Sequence, residues 1–150
     1  MVFDANRFLD AQAPVYDQVL AELQAGRKKS HWMWFIFPQI RGLGRSFMAE
    51  RYAIFDVCEA RAYLAHPLLG TRLVECAQTL LAHGDQSIRE IIGSPDDLKL
   101  RSSMTLFLAA QPDGPEASVF GRVLASFFEG HQDDTTLRLI AERDNGAELT

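Results

Sequence analysis

Apolar residues recur at helical spacing through almost every segment of this chain, and Gly or Pro punctuates each run. That alternation restricts the fold more than any other feature. From Arg7 to Ala25 the positions Phe8, Leu9, Val15, Val19, Leu20 and Leu23 share a helical period, and Gly26 ends the run. Pro14 sets the start of its regular part, because a first-turn N–H has no partner to lose. Ser46 is placed to cap a helix carrying Phe47, Met48, Tyr52 and Phe55. A further segment covers 59–64, and His66-Pro67 opens a longer helix to about Ala82, which His83-Gly84 ends. Ser87 to Glu90 has capping-box spacing before a short helical turn stopped by Gly93. Ser94-Pro95-Asp96-Asp97 combines a capping Ser, a first-turn Pro and two acids facing the helix dipole, with Leu98, Leu100, Met104, Phe107 and Leu108 turned inward. After a loop at 111–115, a helix over 116–129 carries Val119, Phe120, Val123, Leu124, Phe127 and Phe128. A last one runs from Asp134 through Leu137 and Ile140, with a polar tail that frays after about Arg143. No two-residue hairpin turn joins alternating runs. The expected fold is all-α: one domain over 1–150, an irregular helical bundle or short helical array of about seven helices.

A chain of 150 residues can bury a core without disulfides or metal. Its longest apolar stretch, Trp32 to Phe37, falls far short of the roughly 20 residues needed to cross a bilayer. The N-terminus lacks a basic start and an apolar signal region, so a cytoplasmic location is expected. Cys58 and Cys76, without C-x-x-C spacing and set among helix-forming apolar residues, are read as buried free thiols. The four histidines are widely separated and no H-x-x-x-H grouping occurs, so neither a metal nor a cofactor is expected.

Charge is unevenly placed. Arg27, Lys28, Lys29, Arg41, Arg45 and Arg51 are opposed only by Glu50 between Gly26 and Arg51, a window of +5 in a chain of net −5. The acidic remainder disfavours a nucleic-acid duplex, whereas the window suits a small anion. It also brackets Ser30-His31-Trp32-Met33-Trp34-Phe35-Ile36-Phe37-Pro38-Gln39, which holds both tryptophans. Trp32 and Trp34 offer flat surfaces for a ring, and share a face if the segment is extended. A short apolar run does not distinguish strand from buried helix by period alone, and core packing explains these indoles equally well. His31 can act as an acid or base near neutrality, or simply brace the bend after Ser30. Gln39 can clamp an amide edge, and Gly42 and Gly44 allow close backbone approach. Arg45 and the Ser46 helix start suit anion capture. On a second segment Lys99, Ser102 and Ser103 occupy one helical face. Lys99 beside a hydroxyl can activate a nucleophile, but close helix packing by small residues is the simpler account.

The decapeptide at 30–39, the Gly42-Leu43-Gly44 turn, Ser46 and Tyr52, with His66-Pro67-Leu68-Leu69-Gly70 and the stretch from Asp97 to Phe107, resemble the signature of a bacterial family. It is known as domain of unknown function family 1810, and its members are sometimes mislabelled calpastatin. The resemblance implies a single all-helical domain and brings no established activity. The calpastatin label conflicts with this composition, since inhibitors of that kind are long disordered repeats.

Two functional expectations result. In the first, His31, Trp32, Trp34, Gln39, Gly42, Gly44, Arg45, Ser46 and Tyr52 converge with Lys99 and Ser102 or Ser103 on one pocket. Its ligand is a small anionic, ring-containing metabolite of nucleotide type. Hydrolysis or group transfer would use His31 or Asp97 as base, and a binding-only sensor fits the same residues. In the second, the aromatic segment is core and the basic window meets an acidic protein partner. No membrane partner is expected.

Overall fold

The computed structural model describes residues 3–111 and 115–148, among which there are ten helices and no strand beyond one isolated bridge. They are α1 (Asn6–Gln12), α2 (Tyr16–Gln24), α3 (Met33–Ile36), α4 (Phe47–Arg51), α5 (Val57–Ala65), α6 (Leu69–Leu81), α7 (Ile88–Ile92), α8 (Asp96–Ala110), α9 (Pro115–Phe128) and α10 (Asp134–Glu148). The all-helical reading holds, but the count exceeds the expected seven because short helices interrupt what the periodicity merges. Pro14 does not start a helix. It lies in the turn between α1 and α2, with the chain already helical before it. The ambiguous Trp32–Phe37 run is a single helical turn, α3, rather than a strand.

α8 is the central element, packed against α5, α7, α9 and α10, while α9 also covers α6. Leu100, Ser102, Ser103, Met104, Thr105, Leu106 and Phe107 are all buried, so this helix has no polar face along its middle. Aromatic edges cross the core in series. Phe8 meets Tyr63 at 5.1 Å, Tyr63 meets Phe107 at 5.4 Å and Phe107 meets Phe120 at 5.9 Å, tying α1, α5, α8 and α9 together. Each such pair contributes about 0.5–1.5 kcal/mol beyond its buried area. Gly70 makes the α5–α6 corner possible: a Cβ there would lie 2.1 Å from the Leu64 carbonyl oxygen.

The helix starts divide into those read correctly and those corrected. Ser46 and Ser87 cap as expected, accepting from Ala49 and Glu90 N–H groups. His66 braces the start of α6 through Nδ1, which accepts from Leu68 and Leu69 N–H at 3.2 Å. Ser94 does not cap α8. The N-cap is Pro95, and Asp97 instead turns its carboxylate to Leu98 N–H at 2.9 Å. Leu98 is exposed rather than inward, because it falls on the first, solvent-facing turn. Nor is α4 amphipathic: it stops at Arg51 and buries no residue, leaving Phe47 74% exposed. Cys76 is buried, but Cys58 is exposed. No helix among the described residues is long and apolar enough to cross a membrane.

Candidate functional site

The predicted constellation separates into two places. The first is built around a carboxylate. α2 ends in a Schellman turn, with Gly26 at φ +71°, Gly26 N–H donating to Leu23 and Arg27 N–H to Glu22. The reversal folds the chain back over the helix, where buried Glu22 collects backbone and side-chain donors from 29–32. Its Oε1 accepts from Lys29 N–H at 2.7 Å, Ser30 N–H at 3.0 Å and the Trp32 indole N–H at 3.0 Å. Its Oε2 accepts from the Ser30 hydroxyl at 2.6 Å and the Gln18 amide at 2.8 Å. Burial pushes the Glu22 pKa up, but the hydrogen bonds from Ser30, Lys29 and Gln18 outweigh it and hold the carboxyl well below the usual carboxylate range.

A second acid locks the same segment to α8. Asp96 pairs with Lys28 at 2.9 Å and Lys99 at 3.3 Å. Lys28 lies 5.0 Å over the Trp32 ring and Lys99 5.0 Å over the Trp34 ring. The two indoles thus sit under two lysines joined by one carboxylate. Trp32 is buried and Trp34 half-buried, whereas His31 points into solvent. Of the serines, Ser102 donates to Leu98 carbonyl at 3.1 Å, while the Ser103 hydroxyl is enclosed without a partner. Both are small residues in the most crowded part of α8. Lys99 is therefore tied to Asp96 rather than poised beside a hydroxyl.

The second place is an open cleft of about 870 Å³. Arg41, Gly42, Gly44, Arg45, Phe47, Glu50, Arg51 and Phe55 line it from one continuous stretch, with Asp4, Arg7 and Glu59 completing the wall. Arg7 is already engaged, donating to Glu59 at 3.3 Å and to the carbonyls of Ala53 and Asp4. Among the described residues Arg41, Arg45 and Arg51 form no ion pair within 4.0 Å. Arg51 leans over Tyr52 at 5.6 Å from its centroid.

Of the predicted binding residues, Gly42, Gly44 and Arg45 reach this cleft. Ser46 caps α4 beside it, and Tyr52 is buried against Phe8 at 5.8 Å and Phe35 at 5.4 Å. Gln39 contributes its carbonyl, which accepts from Ile54 N–H at 2.9 Å in the bridge between Ile40 and Ile54. The glycines answer to neighbouring protein atoms: a Cβ on Gly44 would lie 2.8 Å from that of Ala49, and Gly42, at φ +111°, faces Leu139. His31, Trp32, Trp34, Asp97, Lys99, Ser102 and Ser103 are not among its walls.

The sequence reading counts Arg41 and Arg51 in its basic window without placing them in the pocket, takes Asp96 only as a helix-start acid, and misses Glu22 and Phe55. Glu22 was findable, since it shares the buried helical face of Val19 and Leu23, where a lone carboxylate requires donors. Phe55 carried no such signal, because periodicity assigned it to a helix that ends before it.

The profile of a protein family described as being of unknown function, DUF1810, matches residues 2–140. The crystal structure of the conserved hypothetical protein Rv1873 from Mycobacterium tuberculosis, solved at 1.38 Å, is similar throughout. It superposes with a TM-score of 0.88 at 52% identity, covering 93% of this chain and 97% of that one. No curated protein matches the chain. With its all-helical fold and a profile match spanning nearly its whole length, the chain belongs to the DUF1810 family.

Proposed function

We propose that the cleft binds a small anionic, ring-bearing metabolite of nucleotide type. One observation carries the reading: Arg41, Arg45 and Arg51, none of them ion-paired among the described residues, share walls with the exposed rings of Phe47 and Phe55. Guanidinium groups recognise phosphate oxygens in a bidentate manner, and the two phenylalanines offer stacking surfaces. Carboxylates in the same walls, Asp4, Glu50 and Glu59, are acceptors for hydroxyl or amino groups of such a ligand. The reading is of a binding site. Hydrolysis or group transfer would draw on Glu50 or Glu59, because His31 and Asp97 lie outside the walls.

Thermal-shift and calorimetric titration with AMP, ATP, ribose 5-phosphate and inorganic phosphate test it. The nucleotides stabilise the protein, by about 2.7 kcal/mol at a hundred-fold excess over Kd, and Arg45→Glu or Arg51→Glu weakens binding at least about ten-fold. Absence of stabilisation by every compound, or wild-type affinity in both variants, overturns the reading. Phe47, exposed on a helix that buries nothing, favours a second reading: an acidic protein partner docking on α4. Binding of polyglutamate with no response to nucleotides selects it.

A further inference from the structure

The eight cleft residues from Arg41 to Phe55 belong to one loop, and its neck is closed by unusual means. Two backbone bonds draw its ends together: Arg41 N–H donates to the Ile54 carbonyl at 2.8 Å and Ile54 N–H to the Gln39 carbonyl at 2.9 Å. The third closure comes from the far end of the chain. Arg143 on α10 donates through Nη1 to the Phe55 carbonyl at 2.6 Å and through Nη2 to the Arg41 carbonyl at 2.6 Å. Its guanidinium also lies 5.0 Å over the Phe55 ring. One side chain thus spans both ends of the loop that supplies most of the cleft. The neighbouring Leu139 packs on Gly42 closely enough that a Cβ there would sit 3.4 Å from Leu139 Cδ1.

We infer that Arg143 is the positioning residue of the cleft, holding the 41–55 loop closed from α10, so that anion binding and docking of α10 favour one another. The inference rests on the cleft being the binding site. Its structural half needs only the bonds just described. Its coupling half follows from charge. Burial disfavours the Arg143 cation and Arg41 opposes it further, which Asp56 and Glu142 offset only in part, so closure brings two guanidinium groups together at a cost. An anion beside Arg41 offsets that repulsion, and by linkage the factor by which the anion favours closure equals the factor by which closure favours the anion. Arg143 is not among the cleft walls, so its effect passes through the loop's position rather than through ligand contact.

Hydrogen exchange of the full chain, with and without AMP, tests both halves in wild type, Arg143→Ala, Arg143→Lys and Arg138→Ala. Arg138 lies on the same helix in an exposed 3.9 Å pair with Glu142, so its loss controls for removing one α10 cation. Without AMP, Arg143→Ala speeds exchange across 41–55 at least about ten-fold, Arg143→Lys falls between, and Arg138→Ala matches wild type. AMP slows exchange in α10 as well as in the loop of wild type, and Arg143→Ala weakens AMP binding about ten-fold while a cooperative thermal transition persists. Unchanged loop exchange in Arg143→Ala overturns the clasp. AMP protection confined to the loop overturns the coupling. If wild type does not bind AMP or any other ligand of the nucleotide panel, the cleft reading and the coupling both fail, and the clasp stands or falls on loop exchange alone.

Discussion

Replacing Glu22 by glutamine separates the charge of the buried carboxylate from its shape. Glu22 is 3% exposed, and five donors converge on it, three at Oε1 and two at Oε2. With the glutamine amide oxygen at Oε1, its NH2 falls where Oε2 was. There the Ser30 hydroxyl can rotate to accept, and the Gln18 amide can turn over to present oxygen. The Lys29, Ser30 and Trp32 N–H groups keep an acceptor, but a neutral one. Charge-assisted bonds contribute about 1.5–3 kcal/mol and neutral ones about 0.5–1.5, so roughly 1 kcal/mol is lost at each and about 3 kcal/mol in total. Glu22→Ala strands all five donors and costs on the order of 5 kcal/mol, comparable with the whole stability of a small domain. Urea denaturation followed by tryptophan fluorescence measures both, since Trp32 reports the site directly. Because the folded pKa lies below the ordinary 4.5, the stabilisation is complete above that pH and is lost as pH falls towards the folded value. The gap between wild type and Glu22→Gln therefore narrows in acid. A Glu22→Gln variant within about 0.5 kcal/mol of wild type at neutral pH would refute the reasoning.

Asp96→Ala removes the shared partner of Lys28 and Lys99. Lys28 has a side chain only 7% exposed, so a loss of about 2 kcal/mol by denaturation is expected, against under about 1 kcal/mol for Lys99→Ala. Gly70→Ala must move the Leu64 backbone and should cost at least about 3 kcal/mol, whereas Gly121→Ala, with open space around the new methyl, should stabilise α9 by up to about 1 kcal/mol. Native-state labelling with a thiol reagent should modify Cys58 alone, because burial, above all, pushes the Cys76 thiol up to about 12; reaction of two thiols before unfolding would contradict this.

The helices that carry the core were legible because their apolar residues obey one period over several turns. α6 is the clearest case, with Leu69, Leu73, Cys76 and Leu80 buried at helical spacing. Period fails where an element spans little more than one helical turn. α3 is a four-residue turn and α4 five residues without a buried side chain, so neither can display a face. Cap chemistry fails differently. Ser94 has the right composition for a cap, yet α8 starts at Asp96 with Pro95 in the N-cap position. The family signature was legible as a motif but not as a site. Its indoles are held by Glu22 and by Lys28 and Lys99, whereas most of the cleft is lined by the 41–55 stretch, to which the signature contributes only Gly42 and Gly44.

Counting charges inside a window overstates what is free, because neutralising partners need not be local in sequence. Glu22 precedes the basic window and Asp96 lies far beyond it, yet between them they organise the Lys29 and Ser30 backbone and the Lys28 ammonium. The window therefore holds two populations. In its first part the Lys28 ammonium and the Lys29 and Ser30 backbone dock the chain reversal onto α2 and α8, while the Arg27 and Lys29 side chains stay exposed. Its second part, Arg41, Arg45 and Arg51, meets no carboxylate within ion-pair distance among the described residues although the chain as a whole is acidic. Arg41, Arg45 and Arg51 share the cleft walls with Asp4, Glu50 and Glu59 yet form no ion pair with them, and Arg143 adds a further guanidinium at the neck of the loop. The anion proposed for the cleft would pair with these three arginines, which no carboxylate among the described residues reaches within ion-pair distance.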